Sequence, residues 1–390
     1  MVIPPPHGGR LIRRDLKGPA RDRRLSELLE LPLVHPIIDQ VYDLQQIAYG
    51  SYSPLEGPLG SSELESVLER RRLPSGTIWP MPILLTLASR GDLEAVWGLK
   101  AGDMVAVADM DGRPYATVEL TELYDLDVGH VAERTYGTRD PQHPNVSDLM
   151  SAGSRALAGK VDLVQPLNLP AAAHERTPEQ TREEFHRQGW KAVVAYQCRN
   201  PPHTAHEYLQ RVSLEREDVD GLFIQPVVGK LKPGDYRPEV ILEAYDRLVH
   251  NYYPPNRVLL GSLSISMRYA GPIAALFFAI VRKNFGCSHY IVGRDQAGVG
   301  KYYDPYACHR IFDEFPVDGV TPLRYHETFY CRACQGMASS KICPHPASEH
   351  QSTSQTLIRQ KLRNGEKLPH EILRPEVAEV LARGDVLSQL

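Results

Sequence analysis

The sequence predicts an α/β protein with a central parallel, doubly wound sheet, a mixed and strand-rich region before it, and a small cysteine-bearing segment after it. Between residues 177 and 295, short apolar runs alternate with helical patterns at regular spacing, which is typical of strand–helix–strand units. Before residue 168, β-rich runs are separated by turn residues. After residue 330, three cysteines fall within thirteen residues. We therefore predict domains at residues 1–168, 169–325 and 326–390.

The size and charge of the chain exclude several classes of protein. A length of 390 residues suggests two or three domains, and 42% apolar with 24% charged residues is ordinary for a globular protein. The net charge of −4 argues against a general binder of nucleic acids or membrane surfaces. The sequence contains no run of 18 apolar residues, so no transmembrane helix is predicted. The first residues lack the apolar stretch of a secretory signal, so we expect a cytoplasmic protein.

In the first region, three segments carry secondary-structure signals. The segment Leu25–Gly50 is predicted to be helical in part, and TIWPMPILLTL (Thr77–Leu87) to form a strand interrupted by prolines. The segment Met104–Leu120 has two β-rich runs on either side of Asp111-Gly112, a pair that suits a type I′ turn. We therefore expect a β-hairpin there.

The central region begins near Pro170. Thr177 is a suitable N-cap with Pro178 at the first helical position, and the apolar run KAVVAYQ that follows this helix reads as a buried strand. Further strands are predicted at Leu222–Gly229, Arg257–Leu263 and His289–Asp295, and further helices at Pro238–Tyr253 and Gly271–Gly286. Ligands of such sheets bind at the carboxyl ends of the strands.

One short segment, AYQCRNPPHTAHEYLQR (Ala195–Arg211), concentrates chemistry directly after an apolar strand. Asn200 stands where a helix N-cap is expected, with Pro201 at the first helical position. His203 and His206 are three residues apart and would share one face of the first turns. The segment therefore predicts a helix N-terminus that presents two imidazoles at the end of a strand.

Such a helix N-terminus favours anions, because free backbone N–H groups and the helix dipole point at the ligand. Arg199 adds a planar fork of donors suited to a tetrahedral oxyanion. Together these groups suit a site that stabilises charge on a transferring phosphoryl centre. Two histidines alone would more often be surface or core residues, so the strand, the Asn-Pro pair and the arginine carry this interpretation.

The same segment resembles the ATP sulfurylase (sulfate adenylyltransferase) family. Its residues match the signature Q-x-R-N-P-x-H-x-x-H-E at Gln197, Arg199, Asn200, Pro201, His203, His206 and Glu207. The resemblance extends along the chain through Pro6–Leu11, Tyr49–Gly60, Gly76–Ile83, Tyr136–Pro144, Gly229–Asp235, Ser266–Pro272 and Val292–Tyr306. It implies a PUA-like N-terminal domain, a Rossmann-like nucleotidyltransferase domain, and a homo-oligomer, expected to be a dimer.

The resemblance also implies an activity: ATP and sulfate would give adenosine 5′-phosphosulfate and pyrophosphate, reversibly, with Mg²⁺ on the ATP phosphates. The residues implied as catalytic are Cys198, Arg199, Asn200, His203 and His206. The residues implied as substrate-binding are Gln197, Arg199, Asn200, His203, His206, Gly293, Arg294, Asp295, Gln296 and Ala297. Met267 and Arg268 are further candidates from the segment Ser266–Pro272.

Three positions depart from the family pattern. Cys198 stands where the family usually has threonine, and a thiol is a poorer donor than a hydroxyl. Gln296 replaces the histidine of G-R-D-H and cannot carry charge. The C-terminal S-G-T-K-x-R pattern is present only as Ser354–Arg359, without its glycine and lysine. These changes keep open the alternative of a catalytically weakened paralogue that binds a nucleotide or oxyanion.

The cysteines Cys331, Cys334 and Cys343 supply three soft ligands for a tetrahedral structural Zn²⁺. The fourth ligand could be His345 or His350, and the resemblance to zinc-bearing members of the family favours His350. Three unrelated cysteines are the alternative.

Two further functions remain as alternatives to sulfate activation. One is an adenylyltransferase that uses another acceptor, against which Gln197, Arg199 and Ala297 argue. The other is a nucleic-acid-binding zinc ribbon, against which the acidic balance and the lack of a basic, aromatic-rich stripe near Cys331 argue. The sequence contains no G-x-x-x-x-G-K-[ST] phosphate loop, so no fused kinase is expected.

Overall fold

A computed structural model describes residues 2–353, 355–366 and 368–389. Their strands form two five-stranded sheets and one three-stranded sheet. Among these residues, no helix has the length and apolar character needed to cross a membrane.

The first sheet is mixed and belongs to the N-terminal part of the chain. Its strands are β1 (Leu33–Val34), β2 (Thr86–Leu87), β3 (Met104–Ala108), β4 (Pro114–Asp125) and β5 (Arg155–Leu163). The accompanying helices are α1 (Gly18–Glu27), α2 (Ile38–Tyr49), α3 (Ser61–Arg70), α4 (Arg90–Ala95), α5 (Val128–Tyr136) and α6 (Pro144–Ser151). The order is β1-β3-β4-β5-β2, antiparallel except for the β1–β3 pair.

Two sequence predictions in this region had opposite outcomes. The hairpin around Asp111-Gly112 is confirmed by the antiparallel pairing of β3 with β4. The strand over Thr77–Leu87 is wrong for most of its length, because only its last two residues form a strand, β2, and Ile78 makes no more than an isolated bridge with Arg72. Pro80 and Pro82 lack the backbone N–H that a sheet ladder requires.

The second sheet is parallel throughout, as the sequence predicts. Its strands are β6 (Val193–Tyr196), β7 (Gly221–Ile224), β8 (Val258–Leu260), β9 (His289–Val292) and β10 (Thr321–Arg324). Its helices are α7 (Pro178–Arg187), α8 (Thr204–Leu214), α9 (Pro238–Tyr252), α10 (Pro272–Asn284) and α11 (Ala307–Glu314). The order β10-β9-β6-β7-β8 reverses between β6 and β9, which opens a crevice at their carboxyl ends.

Local sequence explains how α7 begins and why α10 is buried. Thr177 accepts a hydrogen bond from the Gln180 N–H at 3.3 Å, and the Gln180 side chain accepts one from the Thr177 N–H at 2.8 Å, so the predicted cap is confirmed. Helix α10 is apolar from Pro272 to Val281 and packs Phe277 against Tyr52 and Trp79 of the N-terminal part, with ring centroids 5.2 and 5.7 Å apart. One apolar core therefore joins the first two sheets.

The third sheet is small and antiparallel, in the order β12-β11-β13. It comprises β11 (Thr328–Cys331), β12 (Gly336–Ser339) and β13 (His350–Gln351), and it is followed by α12 (Gln355–Arg363) and α13 (Pro375–Leu381). Val377, Val380 and Leu381 of α13 are buried in the same cluster as the apolar face of α9. The chain end is thereby tied back to the parallel sheet.

Candidate functional site

A cavity of about 470 Å³ lies where the chain order of the parallel sheet reverses. Its walls come from the segment Gln197–His206 after β6, the loop Gly293–Gly298 after β9, and residues 326–328 and 352–353 around the small sheet. The predicted binding residues all lie in this one cavity wall, although the two segments are about ninety residues apart in sequence. The size is that of a small-molecule site.

Helix α8 begins later than the sequence predicts. Its N-cap is His203 and not Asn200, and its first residue is Thr204 and not Pro201. The Thr204 N–H donates to the Ile372 carbonyl at 2.9 Å, and the Gln355 side chain donates to the Pro201 carbonyl at 2.9 Å. Backbone groups near the helix start are thus satisfied by the C-terminal segment, a tertiary arrangement that local sequence does not encode.

The rings of His203 and His206 stack with centroids 3.6 Å apart and an angle of 22° between them. His203 is buried and His206 is partly buried. Burial lowers the pKa of His206 to about 3, and burial and the neighbouring His206 lower the pKa of His203 well below its ordinary value. Both imidazoles are therefore neutral at pH 7, and each carries one N–H donor.

Arg199 forms an ion pair with Asp235, and the same carboxylate accepts the Lys232 backbone N–H at 2.9 Å. The arginine is four-fifths buried, and this burial lowers its pKa. Tyr269 lies beneath two cations, with its ring centre 5.6 Å from the Arg199 guanidinium carbon and 4.7 Å from the Lys232 ammonium. The Arg199 guanidinium therefore lies in the cavity wall with the Asp235 carboxylate as its ion-pair partner.

Helix α12 contacts the cavity-lining residue Asn200 through Arg359. Its guanidinium donates to the Asn200 side-chain oxygen at 2.8 Å and lies 3.9 Å from Asp235. It also covers the Tyr236 ring at 5.0 Å. Arg359 thus occupies the side-chain oxygen of Asn200. The amide N–H group of Asn200 is left to contact the phosphate oxygen that the resemblance predicts for it. Ser354, the first residue of the altered C-terminal pattern, lies outside the described residues.

The loop after β9 has a backbone path that ordinary residues seldom adopt. Asp295 and Ala297 have φ values of 52° and 56°. Their positions are fixed by neighbours, since the Asp295 N–H donates to the Pro305 carbonyl at 2.7 Å and the Ala297 carbonyl accepts the Gly271 N–H at 3.1 Å. Strained conformations persist only where the surroundings over-determine them, which is common at functional sites.

The three predicted cysteine ligands converge, but with a different histidine from the one chosen. Donor atoms of Cys331, Cys334, Cys343 and His345 all lie within 4.8 Å of one another. The choice of His350 is corrected, because its ring stacks on Phe329 with centroids 3.6 Å apart and is not part of the cluster. Three thiols and one imidazole form a donor set suited to tetrahedral Zn²⁺.

Comparison with protein-family models shows two matches that together span most of the chain. A PUA-like domain model matches residues 4–166, and the ATP-sulfurylase model matches residues 173–384, more than half of the chain. The chain belongs to the ATP sulfurylase family. The predicted order of a PUA-like domain followed by a parallel-sheet catalytic domain is confirmed.

The sequence aligns with individual sulfate adenylyltransferases over nearly the full length of both chains. The chain is 43% identical over 380 residues to a sulfate adenylyltransferase of Thermococcus onnurineus, covering 97% of this chain and 98% of that one. It is 44% identical over 381 residues to one of Symbiobacterium thermophilum, covering 97% and 95%. A solved structure described as a hexameric APS kinase from Thiobacillus denitrificans aligns with a TM-score of 0.75 and 25% identity, over 98% of this chain and 68% of that chain.

The departures from the ATP sulfurylase pattern are accommodated by local contacts. The Cys198 sulfur lies 2.8 Å from the Tyr245 hydroxyl of α9, and burial raises the pKa of this thiol to about 12. Gln296 accepts the Gly293 N–H at 3.1 Å and donates to the Tyr290 hydroxyl, which in turn reaches Gln197 at 3.4 Å. Cys198 and Gln296 therefore line the cavity and are held there by neighbouring protein groups.

Sequence reasoning missed several residues that line the cavity of the ATP sulfurylase fold or contact its lining residues. Asp235 and Lys232 belong to the matched segment Gly229–Asp235, and Tyr269 to the segment Ser266–Pro272, so the resemblance was the available signal. Of the two further candidates there, Met267 lines the cavity, and Arg268 pairs instead with a carboxylate of the N-terminal part. No local signal pointed to the cavity-lining residues in and beside the small sheet, which are His326, Glu327, Thr328, Ser352 and Thr353.

Proposed function

We propose that this chain catalyses the joining of sulfate to ATP, giving adenosine 5′-phosphosulfate and pyrophosphate, and the reverse reaction. The observation that carries the proposal is that one cavity combines the Arg199 fork with two stacked, neutral imidazoles at the reversal point of the sheet. Family membership makes sulfate adenylyltransferase the expected activity. ATP enters as its magnesium complex, the usual substrate form in such transfers.

In the proposed mechanism, a sulfate oxygen attacks the α-phosphorus in line with the departing pyrophosphate. One phosphorus–oxygen bond forms to sulfate as the bond to the β-phosphate oxygen breaks, and the electron pair leaves on pyrophosphate. Sulfate carries no proton at pH 7, so no general base is required. The protein contributes placement of the two anions and stabilisation of charge.

The residues divide between the two substrates. Arg199 and Gln197 hold sulfate, with the Ala297 N–H as a further donor. Asn200, His203 and His206 contact the phosphates through N–H groups. A neutral imidazole donates a directed hydrogen bond without a full charge, and a bound anion would raise its pKa. Adenine and ribose lie against the loop of Gly293, Arg294, Asp295 and Gln296, as the family resemblance implies.

We further propose that the Cys331, Cys334, Cys343 and His345 cluster holds a structural Zn²⁺. A tetrahedral set of four protein ligands leaves no open position for chemistry, so the ion would serve to fix the small sheet. Strand β11 runs from Thr328 in the cavity wall to the ligand Cys331. Metal binding would thereby order one wall of the active site.

Two broader expectations belong to the same proposal. A homo-oligomer is supported by the family resemblance and by the structural neighbour from Thiobacillus denitrificans, which is described as hexameric. A cytoplasmic location follows the sequence expectation. Neither affects the assignment of residues within one chain.

The activity is tested by incubating the protein with adenosine 5′-phosphosulfate, pyrophosphate and Mg²⁺ and measuring ATP with a coupled light-emitting assay. We expect ATP formation that is strongly reduced in Arg199→Ala. Wild-type protein that forms no more ATP than this variant would refute the proposal and favour a weakened, ligand-binding paralogue. Turnover of another adenylylated anion without turnover of the sulfate compound would favour an adenylyltransferase with a different acceptor.

A further inference from the structure

We propose that the N-terminal PUA-like domain supplies positioning residues for the reaction, chief among them Asn145. Asn145 would act by fixing the loop Ser266–Gly271, from which Met267 and Tyr269 form part of the cavity wall. The inference rests on the proposed function, because it concerns how the substrates of that reaction are held. Asn145 itself does not line the cavity.

Asn145 holds the loop by its backbone. Its side-chain N–H donates to the Met267 carbonyl at 3.2 Å, and its side-chain oxygen accepts the Tyr269 N–H at 2.7 Å. His143, two residues earlier, lies with its Nε2 2.9 Å from the Tyr269 carbonyl. Both side chains are almost fully buried. These bonds are made by the backbone groups of Met267 and Tyr269 themselves, so they fix the path of the chain where it forms the cavity wall.

The alternate residues of the loop point into the N-terminal domain. Arg268 pairs with Asp43, and the two side chains are only 9% and 4% exposed. The Ser266 hydroxyl donates to Asp39 at 2.7 Å. Ser266 and Arg268 are thus anchored in the N-terminal domain, while Met267 and Tyr269, which alternate with them along the chain, line the cavity.

The loop is connected to the groups that would hold the sulfate end of the substrate. The Tyr269 ring lies against Arg199 and Lys232, and the Gly271 N–H donates to the Ala297 carbonyl. A shift of this loop would therefore move both the arginine and the strained loop after β9. Misplacement by about 1 Å can cost on the order of a hundredfold in rate.

These polar contacts are not needed merely to attach the domains. The apolar core formed by Tyr52, Trp79 and Phe277 already joins them. A buried ion pair contributes little net stability compared with apolar packing, so the Arg268–Asp43 pair and the Asn145 hydrogen bonds on one cavity loop indicate a role in positioning.

The test compares Asn145→Ala with Gln40→Ala in the reaction of adenosine 5′-phosphosulfate with pyrophosphate. Gln40 is a matched control, because its buried side chain makes two hydrogen bonds to Thr86 wholly within the N-terminal domain. We expect Asn145→Ala to raise the KM for adenosine 5′-phosphosulfate by about tenfold or more and to lower kcat. The KM for pyrophosphate should change much less, and Gln40→Ala should leave both KM values near those of the wild type.

The KM readout separates positioning from destabilisation. A variant that is merely less stable has fewer active molecules, so its apparent kcat falls while neither KM changes. If Asn145→Ala does not fold, Asn145→Asp replaces it, since this variant keeps the side-chain oxygen that accepts the Tyr269 N–H and removes only the side-chain N–H that donates to the Met267 carbonyl. A KM for adenosine 5′-phosphosulfate that stays unchanged in the folded variant would overturn the inference. An inactive wild-type protein would instead overturn the proposed function.

Discussion

Asp235 lies against Arg199 as its ion-pair partner, so the arginine proposed to bind sulfate already has a carboxylate beside it. The two side chains are 13% and 20% exposed. Asp235 both positions the guanidinium and competes with an incoming anion. Sulfate binding is thereby coupled to how tightly this pair is held.

Asp235→Asn should make the free protein less stable and sulfate more stabilising. The substitution leaves a largely buried arginine without a counter-ion, at a cost of up to about 3 kcal/mol. Bound sulfate would supply the missing charge, so the rise in Tm with added sulfate should exceed that of the wild type. Asp246→Asn is the control, because Asp246 is exposed and pairs with His174. Equal sulfate-dependent shifts in all three proteins would contradict the pairing argument.

Because the pKa values of His203 and His206 are lowered in the folded chain, the free energy of unfolding should decrease as the pH falls below 6.5. Burial lowers the pKa of His206 from its ordinary 6.5 to about 3 in the folded chain. Between these values the unfolded chain binds the proton and the folded chain does not, so the free energy of unfolding decreases as pH falls. One imidazole contributes at most about 1.4 kcal/mol per pH unit.

Denaturant unfolding at several pH values between 4 and 7.5 checks this for wild type and His206→Gln. The variant should show a shallower loss of stability across that range. Parallel curves for the two proteins would mean that His206 is not held neutral in the folded state.

Zinc content should depend on His345 and not on His350. His345→Ala removes one donor of the four-residue cluster, while His350→Ala removes only a ring stacked on Phe329. Elemental analysis of the purified variants should show zinc lost or strongly reduced in the first and retained in the second. Because β11 joins the cluster to the cavity wall, the first variant should also have a higher KM for adenosine 5′-phosphosulfate. Full zinc retention in His345→Ala would exclude the proposed ligand set.

Cys198→Thr should change activity only modestly. The thiol contacts the Tyr245 hydroxyl, and a threonine hydroxyl can make the same bond. A single neutral hydrogen bond is worth about 1 kcal/mol, so kcat/KM in the direction of ATP formation should stay within about fivefold of the wild type. A change of more than an order of magnitude would show that the Cys198 side chain contacts substrate directly.

Much of the fold could be predicted from local patterns. The apolar runs of β6, β7 and β9, the Thr177 cap and the Asp111-Gly112 hairpin depend on residues near in sequence, and each is present. The start of α8 could not be predicted, because the partners near its first turn, Ile372 and Gln355, come from more than 150 residues away.

The candidate site shows the same division. The strand-end segment with Arg199 and the two histidines could be read from sequence, because strand ends of a parallel sheet share one edge. The partners Asp235 and Arg359 could not, since their contacts arise only when distant loops and α12 meet. The choice between His345 and His350 likewise depended on how the small sheet folds.

The central claim is that sulfate itself attacks the α-phosphorus while held by Arg199. Exchange of labelled pyrophosphate into ATP tests it most directly, because direct attack releases pyrophosphate only when sulfate is present. We predict exchange with Mg²⁺, ATP and sulfate together, none when sulfate is omitted, and little in Arg199→Ala. Exchange that proceeds equally well without sulfate, or no exchange with it, would contradict the account.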